Sequence, residues 1–441
     1  MSFSVLIGLE IHIELKTETK MFCRCKASHF GQPPNSCVCP ICLGLPGSLP
    51  YPNQKAIEWV RMMGLALDCQ LNLLSKFDRK NYFYPDLPKG YQISQYELPL
   101  CQKGIFKKIR IKRVHLEEDT GKLFHESING QEVTLIDFNR AGVPLMEIVT
   151  EPDISSPAQA KEFLKDLQML VRTLGISDAD MEKGQMRCEP TVNLAMQKDG
   201  KTFFTPLVEI KNINSFRFVE KAIDYEIKRQ KEEFEKTGKV KVLGNKTTRG
   251  WDEKKQQTVL QREKEEAADY RYFPEPDLPP LRITEKEIEI LKRKLPELPE
   301  QKVIRLMKNY ALPEKQARDL VAKQEVTGYF EKAAQEASKQ KIDFKDVANM
   351  IINKRIDFEK LQPQELVEFL VKKKAANKIS QAILEEKVIL VIKNNPQAVK
   401  EFKKGKQTVV EFLVGQVMKE TKGQTDPQEA RKILCEKLRS A

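Results

Sequence analysis

Val5-Leu-Ile-Gly-Leu-Glu-Ile-His-Ile-Glu-Leu-Lys16 decides the fold of the N-terminal half. From Ile7 to Leu15 every odd position is a branched aliphatic (Ile7, Leu9, Ile11, Ile13, Leu15). Gly8, Glu10, His12, Glu14 and Lys16 take the even positions. Successive strand side chains point to opposite faces, so this is a strand with one core face and one polar face. Glu10 and His12 are neighbours on the polar face. They could serve a divalent metal, but taken alone the pattern fits an ordinary solvated strand surface better.

The same texture continues outward. Ile105–Val114 and Val133–Phe138 alternate as strands. Helical stretches are expected at 54–68, 157–174 and 216–237, the second opened by Ser155-Ser156-Pro157, a cap followed by Pro at the first helical position. Tyr270–Leu281 holds four prolines and is expected to be irregular, closing a first domain. Beyond it the pattern is helical almost throughout, including helices at 376–387, 395–404 and 408–420, with Lys403-Lys404-Gly405-Lys406 separating the last ones. The expected architecture is α+β: a large mixed domain over 1–283, an all-α domain over 284–387 and a small helical tail over 388–441.

Composition limits what such a chain can do. Its 441 residues carry 75 Lys+Arg and 63 Asp+Glu, a net charge of +12. Residues 1–280 hold 41 basic and 39 acidic side chains (+2), whereas 281–441 hold 34 and 24 (+10). A basic C-terminal third points to a phosphate-backbone partner or to a lysine-rich solvated helical surface. The longest apolar runs, such as Val388–Ile392, fall far short of the ~20 residues a membrane span needs. The N-terminus has neither the basic start nor the apolar stretch of a targeting peptide, so a cytoplasmic protein with no membrane partner is expected.

Five of the nine cysteines lie between Cys23 and Cys42, as Cys23-x-Cys25 and Cys37-x-Cys39-Pro-Ile-Cys42. Two close pairs joined by a turn-rich loop match a structural tetrathiolate zinc site. Thiolates suit zinc, and a closed four-sulfur shell makes such a site a staple rather than a reaction centre. Five candidates for four places leave one over.

Carboxylates supply a second chemistry. His115-Leu-Glu-Glu-Asp119 gathers an imidazole and three acids, and Val143-Pro-Leu-Met-Glu-Ile-Val149 places Glu147 inside an apolar strand. A buried carboxylate needs a partner or a metal, and oxygen-rich ligands with one imidazole suit Mg²⁺ beside phosphates. Phe77-Asp-Arg-Lys-Asn-Tyr-Phe-Tyr-Pro-Asp-Leu-Pro-Lys-Gly-Tyr-Gln-Ile-Ser-Gln95 alternates aromatic and basic side chains, suited to stacking on bases or simply to packing. No Walker-type loop, G-x-G-x-x-G, G-x-S-x-G or H-E-x-x-H sequence occurs.

Taken together, Val5–His12, Phe77–Asp86, His115–Asp119, Asp137–Leu145, Glu209–Phe216, Asp269–Asp277, Phe412–Lys419 and Lys422-Gly423 resemble the B subunits of aspartyl/glutamyl-tRNA(Asn/Gln) amidotransferases. The resemblance covers essentially the whole chain. It implies a cradle domain, a helical domain and a YqeY-like tail that binds tRNA. It further implies that ATP and Mg²⁺ activate the side-chain carboxylate of Glu-tRNA(Gln) or Asp-tRNA(Asn) as an acyl phosphate. Ammonia from the partner glutaminase (the A subunit), with the small C subunit clasping the pair, then gives the amide. Glu10, His12, Glu118 and Glu147 are the implied catalytic metal ligands. Cys23, Cys25, Cys39 and Cys42 are the implied structural Zn²⁺ ligands, with Cys37 the odd one out. Two departures stand out: Glu189 and Thr191 where Asp and Asn are usual, and a junction near 376–392 shortened by about a helical hairpin. A competing reading is a non-catalytic, zinc-stapled adaptor that only presents RNA, which would have no need for a carboxylate constellation.

Overall fold

The computed structural model describes residues 2–265, 270–322, 324–353, 360–376, 380–403, 408–421 and 425–440. Asp269, the Lys404–Lys406 part of the expected spacer and Lys422-Gly423 lie outside them. The chain forms two compact units, Met1–Pro299 and Glu300–Ala441.

The first unit is built on a ten-stranded sheet whose centre is the strand Phe3–Glu14. Met186–Lys198 flanks it on one side and Pro144–Thr150 on the other, both antiparallel. Next to Pro144–Thr150 come Ile109–Glu118, Cys101–Phe106 and Gln70–Leu71. Beyond Met186–Lys198 lie Val208–Lys211, Lys246–Asp252 and Gln257–Glu265, with Val208–Lys211 and Lys246–Asp252 paired parallel. The odd-numbered aliphatics behave as their spacing demands: Ile7, Leu9, Ile11 and Ile13 are at most 1% exposed. Their core also holds Ile57 and Val60 of Gln54–Ala66, Leu164 and Leu167 of Pro157–Thr173, and Val219 and Ile223 of Phe216–Thr237. Each helix is started by a side chain accepting from the first-turn N–H groups: Asn53, Ser156 and Ser215.

Three expectations need correction. Ile105–Val114 is a hairpin, not one strand: Phe106 pairs with Ile109 across Lys107-Lys108, whose φ values of +50° and +66° make a two-residue turn. Both φ values suit a type I′ turn, which two lysines do not announce in sequence. Tyr270–Leu281 is not wholly irregular, because Phe273–Pro274 pairs with Asp78–Asn81 and Leu281–Arg282 with Leu74–Ser75. The first unit also runs past residue 283: Ile288 and Leu291 of the helix Glu285–Lys294 belong to its core, with Leu295 and Leu298 packed against it.

The second unit is helical. Pro299–Tyr310, Glu314–Val321, Gln324–Lys339, Phe344–Ile352 and Pro363–Ala376 bury Val303, Leu306, Leu320, Phe330, Val347 and Leu366. A separate cluster joins Gln381–Asn394, Val409–Glu420 and Pro427–Ser440 through Leu384, Val388, Val391, Leu413, Val417 and Leu434. The helix expected over 376–387 is therefore displaced. Ser380 caps a helix over Gln381–Asn394 by accepting from the Ile383 N–H, and Leu384, Val388 and Val391 form its buried stripe, so the tail core begins ahead of residue 388. Among the described residues no helix is long and apolar enough to cross a membrane.

At Gly64 the helix Gln54–Ala66 approaches the strand Cys101–Phe106 closely. A Cβ there would lie 2.3 Å from Cys101 Sγ and 2.9 Å from its Cβ. Helix propensity alone favours alanine by about 1 kcal/mol. The clash should outweigh it, so Gly64→Ala is expected to cost about 1–3 kcal/mol in denaturant unfolding. Adding Cys101→Ala should recover most of the loss. A stabilised Gly64→Ala single variant would refute this account of the contact.

Candidate active site

The polar face of the central strand becomes a site because of its register. His12 stands opposite Glu147, and Glu147 opposite His115 on the next strand. Both imidazoles meet one carboxylate: His12 Nε2 and His115 Nε2 each lie 3.3 Å from Glu147 Oε2. Two residues past His115, Glu117 returns to the same face, 3.8 Å from His12 Nε2 and 3.7 Å from His115 Nε2. His12, Glu117 and Glu147 can each offer a ligand atom within 4.8 Å of the others, the spacing a metal ion needs. Glu10, Glu189 and Glu209 make a second such group on adjoining strands, with Lys211 Nζ 2.8 Å from Glu189 and 3.0 Å from Glu209.

Electrostatics follow from the crowding. Burial opposes a charge on His12, yet its hydrogen bond to Glu147 and the charges of Glu147 and Glu117 push its pKa up to about 9. Burial likewise disfavours the Glu147 carboxylate, but His115 and His12 hold it well below the usual range. Glu10 is raised by burial and by the charges of Glu147, Glu209 and Glu189. The field that draws protons onto the imidazoles is the field that attracts a divalent cation.

The three acids and the imidazole expected to act together do not all meet. His12 and Glu147 do, and Glu10 lies in the adjoining acidic group. Glu118 points away, as strand alternation from Glu117 requires. Its carboxylate accepts from Lys89 Nζ at 2.7 Å and from the Ile93 N–H at 2.9 Å, and it lines a cavity with Cys23, Cys42 and Gly142. Glu117 therefore occupies the place expected for Glu118. His115, Glu117, Glu189 and Glu209 were not singled out in the sequence as members of this face. The i, i+2 spacing of His115 and Glu117 matches that of Glu10 and His12 and marks those two as sharing a face, whereas Glu189 and Glu209 reach Glu10 only through the pairing of their strands.

The aromatic loops close against this face. Tyr82 meets Tyr270 edge-on at 5.8 Å, and Tyr96 stacks on Tyr272 at 4.4 Å. Arg79 fixes the two segments together through a two-pronged bond to buried Glu275 at 2.7 and 2.8 Å. Packing thus accounts for much of this stretch, while Phe83 remains 84% exposed. On another side of the face, buried Asp119 is held well below the ordinary carboxylate range by Arg140 and Arg187. Both arginines also line a cavity with Lys122 and Lys183.

The thiols converge as their spacing suggested. The Sγ atoms of Cys23, Cys25, Cys39 and Cys42 lie within 4.8 Å of one another. The Cys39–Cys42 separation of 3.9 Å is close to the roughly 3.8 Å edge of a tetrahedron with Zn–S bonds of about 2.3 Å. Cys42 is pushed down to about 4 by the Cys23 thiol, the Cys39 N–H and the ammonium of Lys20. That ammonium is buried and lies 3.6 Å from Cys42 Sγ. Cys37 stays outside the group; its N–H donates to Asn139 Oδ1 at 2.7 Å. The four thiols fit a structural zinc ion.

Comparison with known proteins gives one consistent result. Residues 5–289 match the GatB/GatE catalytic domain and residues 324–438 the GatB domain. The chain is 42% identical over 485 aligned residues to the B subunit of the aspartyl/glutamyl-tRNA(Asn/Gln) amidotransferase of Thermotoga petrophila, covering 98% of both chains. It is 44% identical over 488 residues to the protein of the same name from Persephonella marina, covering all of both. That from Thermodesulfovibrio yellowstonii is 43% identical over 488 residues. Since 488 aligned positions exceed the 441 residues of this chain, these relatives carry segments that it lacks.

The thiol geometry predicts about one zinc per chain by elemental analysis. Cys39→Ser with Cys42→Ser should abolish it, and Cys37→Ser should leave it unchanged. Metal-free protein purified without chelators, or zinc loss on changing Cys37, would contradict this assignment.

Proposed function

The chain belongs to the GatB family of tRNA-dependent amidotransferase B subunits, and on that footing we propose that it activates and amidates a misacylated tRNA. The substrate is Glu-tRNA(Gln), Asp-tRNA(Asn) or both. The observation that carries this reading is the convergence of His12, Glu117 and Glu147 on one strand face. A carboxylate is a poor electrophile, and phosphorylation by ATP turns its oxygen into a leaving group. Bound at these three residues, with Glu117 in place of Glu118, Mg²⁺ would neutralise charge on the transferring phosphoryl group.

The remaining work falls to the protein. Arg113, whose Nη2 lies 3.5 Å from Glu147, and His115 fix the orientation of that carboxylate. Glu10, Glu189 and Glu209, bridged by Lys211, extend the acidic surface toward the next strands. The packed tyrosines limit water at the reacting carboxyl, which protects an acyl phosphate from hydrolysis. Ammonia reaches the site from the partner glutaminase, with the small third protein of the complex holding the two together, and the basic C-terminal third meets the tRNA phosphates. The zinc loop holds the neighbourhood of Lys89 and Glu118 in place. The setting is the cytoplasm, where translation supplies the misacylated tRNA.

The test is amide formation on Glu-tRNA(Gln) by the complex of this chain with its glutaminase and small partners, given ATP, Mg²⁺ and ammonium chloride. Ammonium bypasses the glutaminase, so the signal belongs to this chain's site. Glu147→Gln is expected to lower kcat by about 100-fold or more while leaving tRNA affinity within about threefold. Product from neither Glu-tRNA(Gln) nor Asp-tRNA(Asn), with both still bound, would favour the adaptor.

A further inference from the structure

Lys80 sits on the strand Asp78–Asn81 between two residues with obvious structural tasks. Arg79 clamps Glu275, and Asn81 Nδ2 donates to the Arg271 carbonyl at 2.8 Å. Lys80 has no comparable task. Its Nζ lies 5.0 Å from the centre of the Tyr270 ring and 5.7 Å from that of Tyr82. Among the described residues no carboxylate forms an ion pair with it and no acceptor receives a hydrogen bond from it. Lys80 is half-buried, so the three donors of its ammonium stay open to water and to an entering ligand.

Lys80 pairs with Gln92 on the strand Tyr91–Ser94, whose Gln92 and Ser94 share its face. Gln92 Nε2 donates to the Glu118 carbonyl at 2.7 Å and Ser94 Oγ to Glu117 Oε2 at 2.9 Å, so Lys80 faces the strand that carries Glu117. Burial works against the charge, but Glu117, then Tyr272 and Glu147, hold the Lys80 pKa above its ordinary value. Two of these three are the carboxylates assigned above to the divalent cation. A cation bound there would cancel the field that Lys80 relies on and repel its ammonium directly. An anion lying between the two positive groups would offset that repulsion. In a phosphoryl-transfer site that anion is the phosphate being moved.

We propose that Lys80 is a catalytic residue whose ammonium binds the non-bridging oxygens of the phosphoryl group as it passes to the tRNA-linked carboxylate. This rests on the reading of His12, Glu117 and Glu147 as the cation site. A carboxylate oxygen forms the new bond to the terminal phosphorus of ATP. The bond from that phosphorus to the bridging oxygen breaks, and ADP leaves with the electron pair. Lys80 neither gains nor loses a proton; it offsets charge and fixes direction. Metal and nucleotide should therefore bind cooperatively through it, each being favoured when the other is present.

The experiment uses the full complex with both partner proteins and two readouts. One is tRNA-dependent ADP release without ammonia, which reports activation alone. The other is Mn²⁺ affinity by electron paramagnetic resonance, with and without a non-hydrolysable ATP analogue. Lys80→Met is expected to slow ADP release by about 100-fold or more. It should bind Mn²⁺ at least as tightly as the unaltered complex when nucleotide is absent, and should lose most of the tightening that the analogue produces. A merely structural lysine would behave differently, its loss weakening Mn²⁺ binding. ADP release within about threefold of normal, or weaker Mn²⁺ binding in the variant, would overturn the role given to Lys80. Should Lys80→Met not fold, Lys80→Arg carries the test: it keeps the charge and should keep the analogue-induced tightening, and losing that would overturn the proposal. Failure of the unaltered complex to bind Mn²⁺ would instead overturn the cation site itself, and this inference with it.

Discussion

Antiparallel pairing sets His12 opposite Glu147 and Glu147 opposite His115, and the polar chemistry of the cradle depends on that register. What fixes it lies on the other face of the same strand. Ile7, Leu9, Ile11 and Ile13 are buried in the core, and each contributes about 1.5–3 kcal/mol through burial. A slip by one residue would turn these side chains toward the charged face and Glu10 and His12 into the core. The core therefore specifies the geometry of the site without touching substrate. A wide antiparallel sheet suits this use, because one face supplies stability while residues from strands far apart in sequence meet on the other.

Concentrating so many acids has a cost, and the structure meets it locally. Lys211 and Lys246 pair with Glu209, Arg113 and two imidazoles face Glu147, and Arg140 and Arg187 hold Asp119. Lys89 does the same for Glu118 on the opposite face. Lys80 departs from this pattern, a cation without an ion-pair partner among the described residues, beside a group of acids able to share a metal. The loop of the four converging cysteines sits next to these charges rather than apart from them. Lys20 joins Cys42 to the Phe138 carbonyl, and Gly44 packs against the Lys89 side chain that reaches Glu118. A metal ion held by the four thiols would staple a loop that otherwise has little apolar surface to bury.

Local patterns were legible in the sequence, and long-range ones were not. The central strand, the three long helices of the first unit and the cysteine cluster follow from spacing within about twenty residues, although spacing alone left five thiols for four places. Two adjacent acids, Glu117 and Glu118, pose a different problem. Which of them faces His12 depends on the phase of their strand, set by pairing with Pro144–Thr150 later in the chain. Glu189 and Glu209 join Glu10 only because Met186–Lys198 and Val208–Lys211 pair in sequence-distant register. The Lys107-Lys108 turn carries neither Gly nor Asn, and the apolar run Val388–Ile392 hid where its helix begins. In each case tertiary pairing decided what composition left open.

Anomalous diffraction from crystals of the complex grown with Mn²⁺ in place of Mg²⁺ would test the central claim most directly. The account predicts a manganese peak bound by His12 Nε2 and by carboxylate oxygens of Glu117 and Glu147, at roughly 2.0–2.3 Å. Glu118 should remain bonded to Lys89. Manganese bound by Glu118 with Lys89 displaced, or no peak on this face when nucleotide is present, would contradict it.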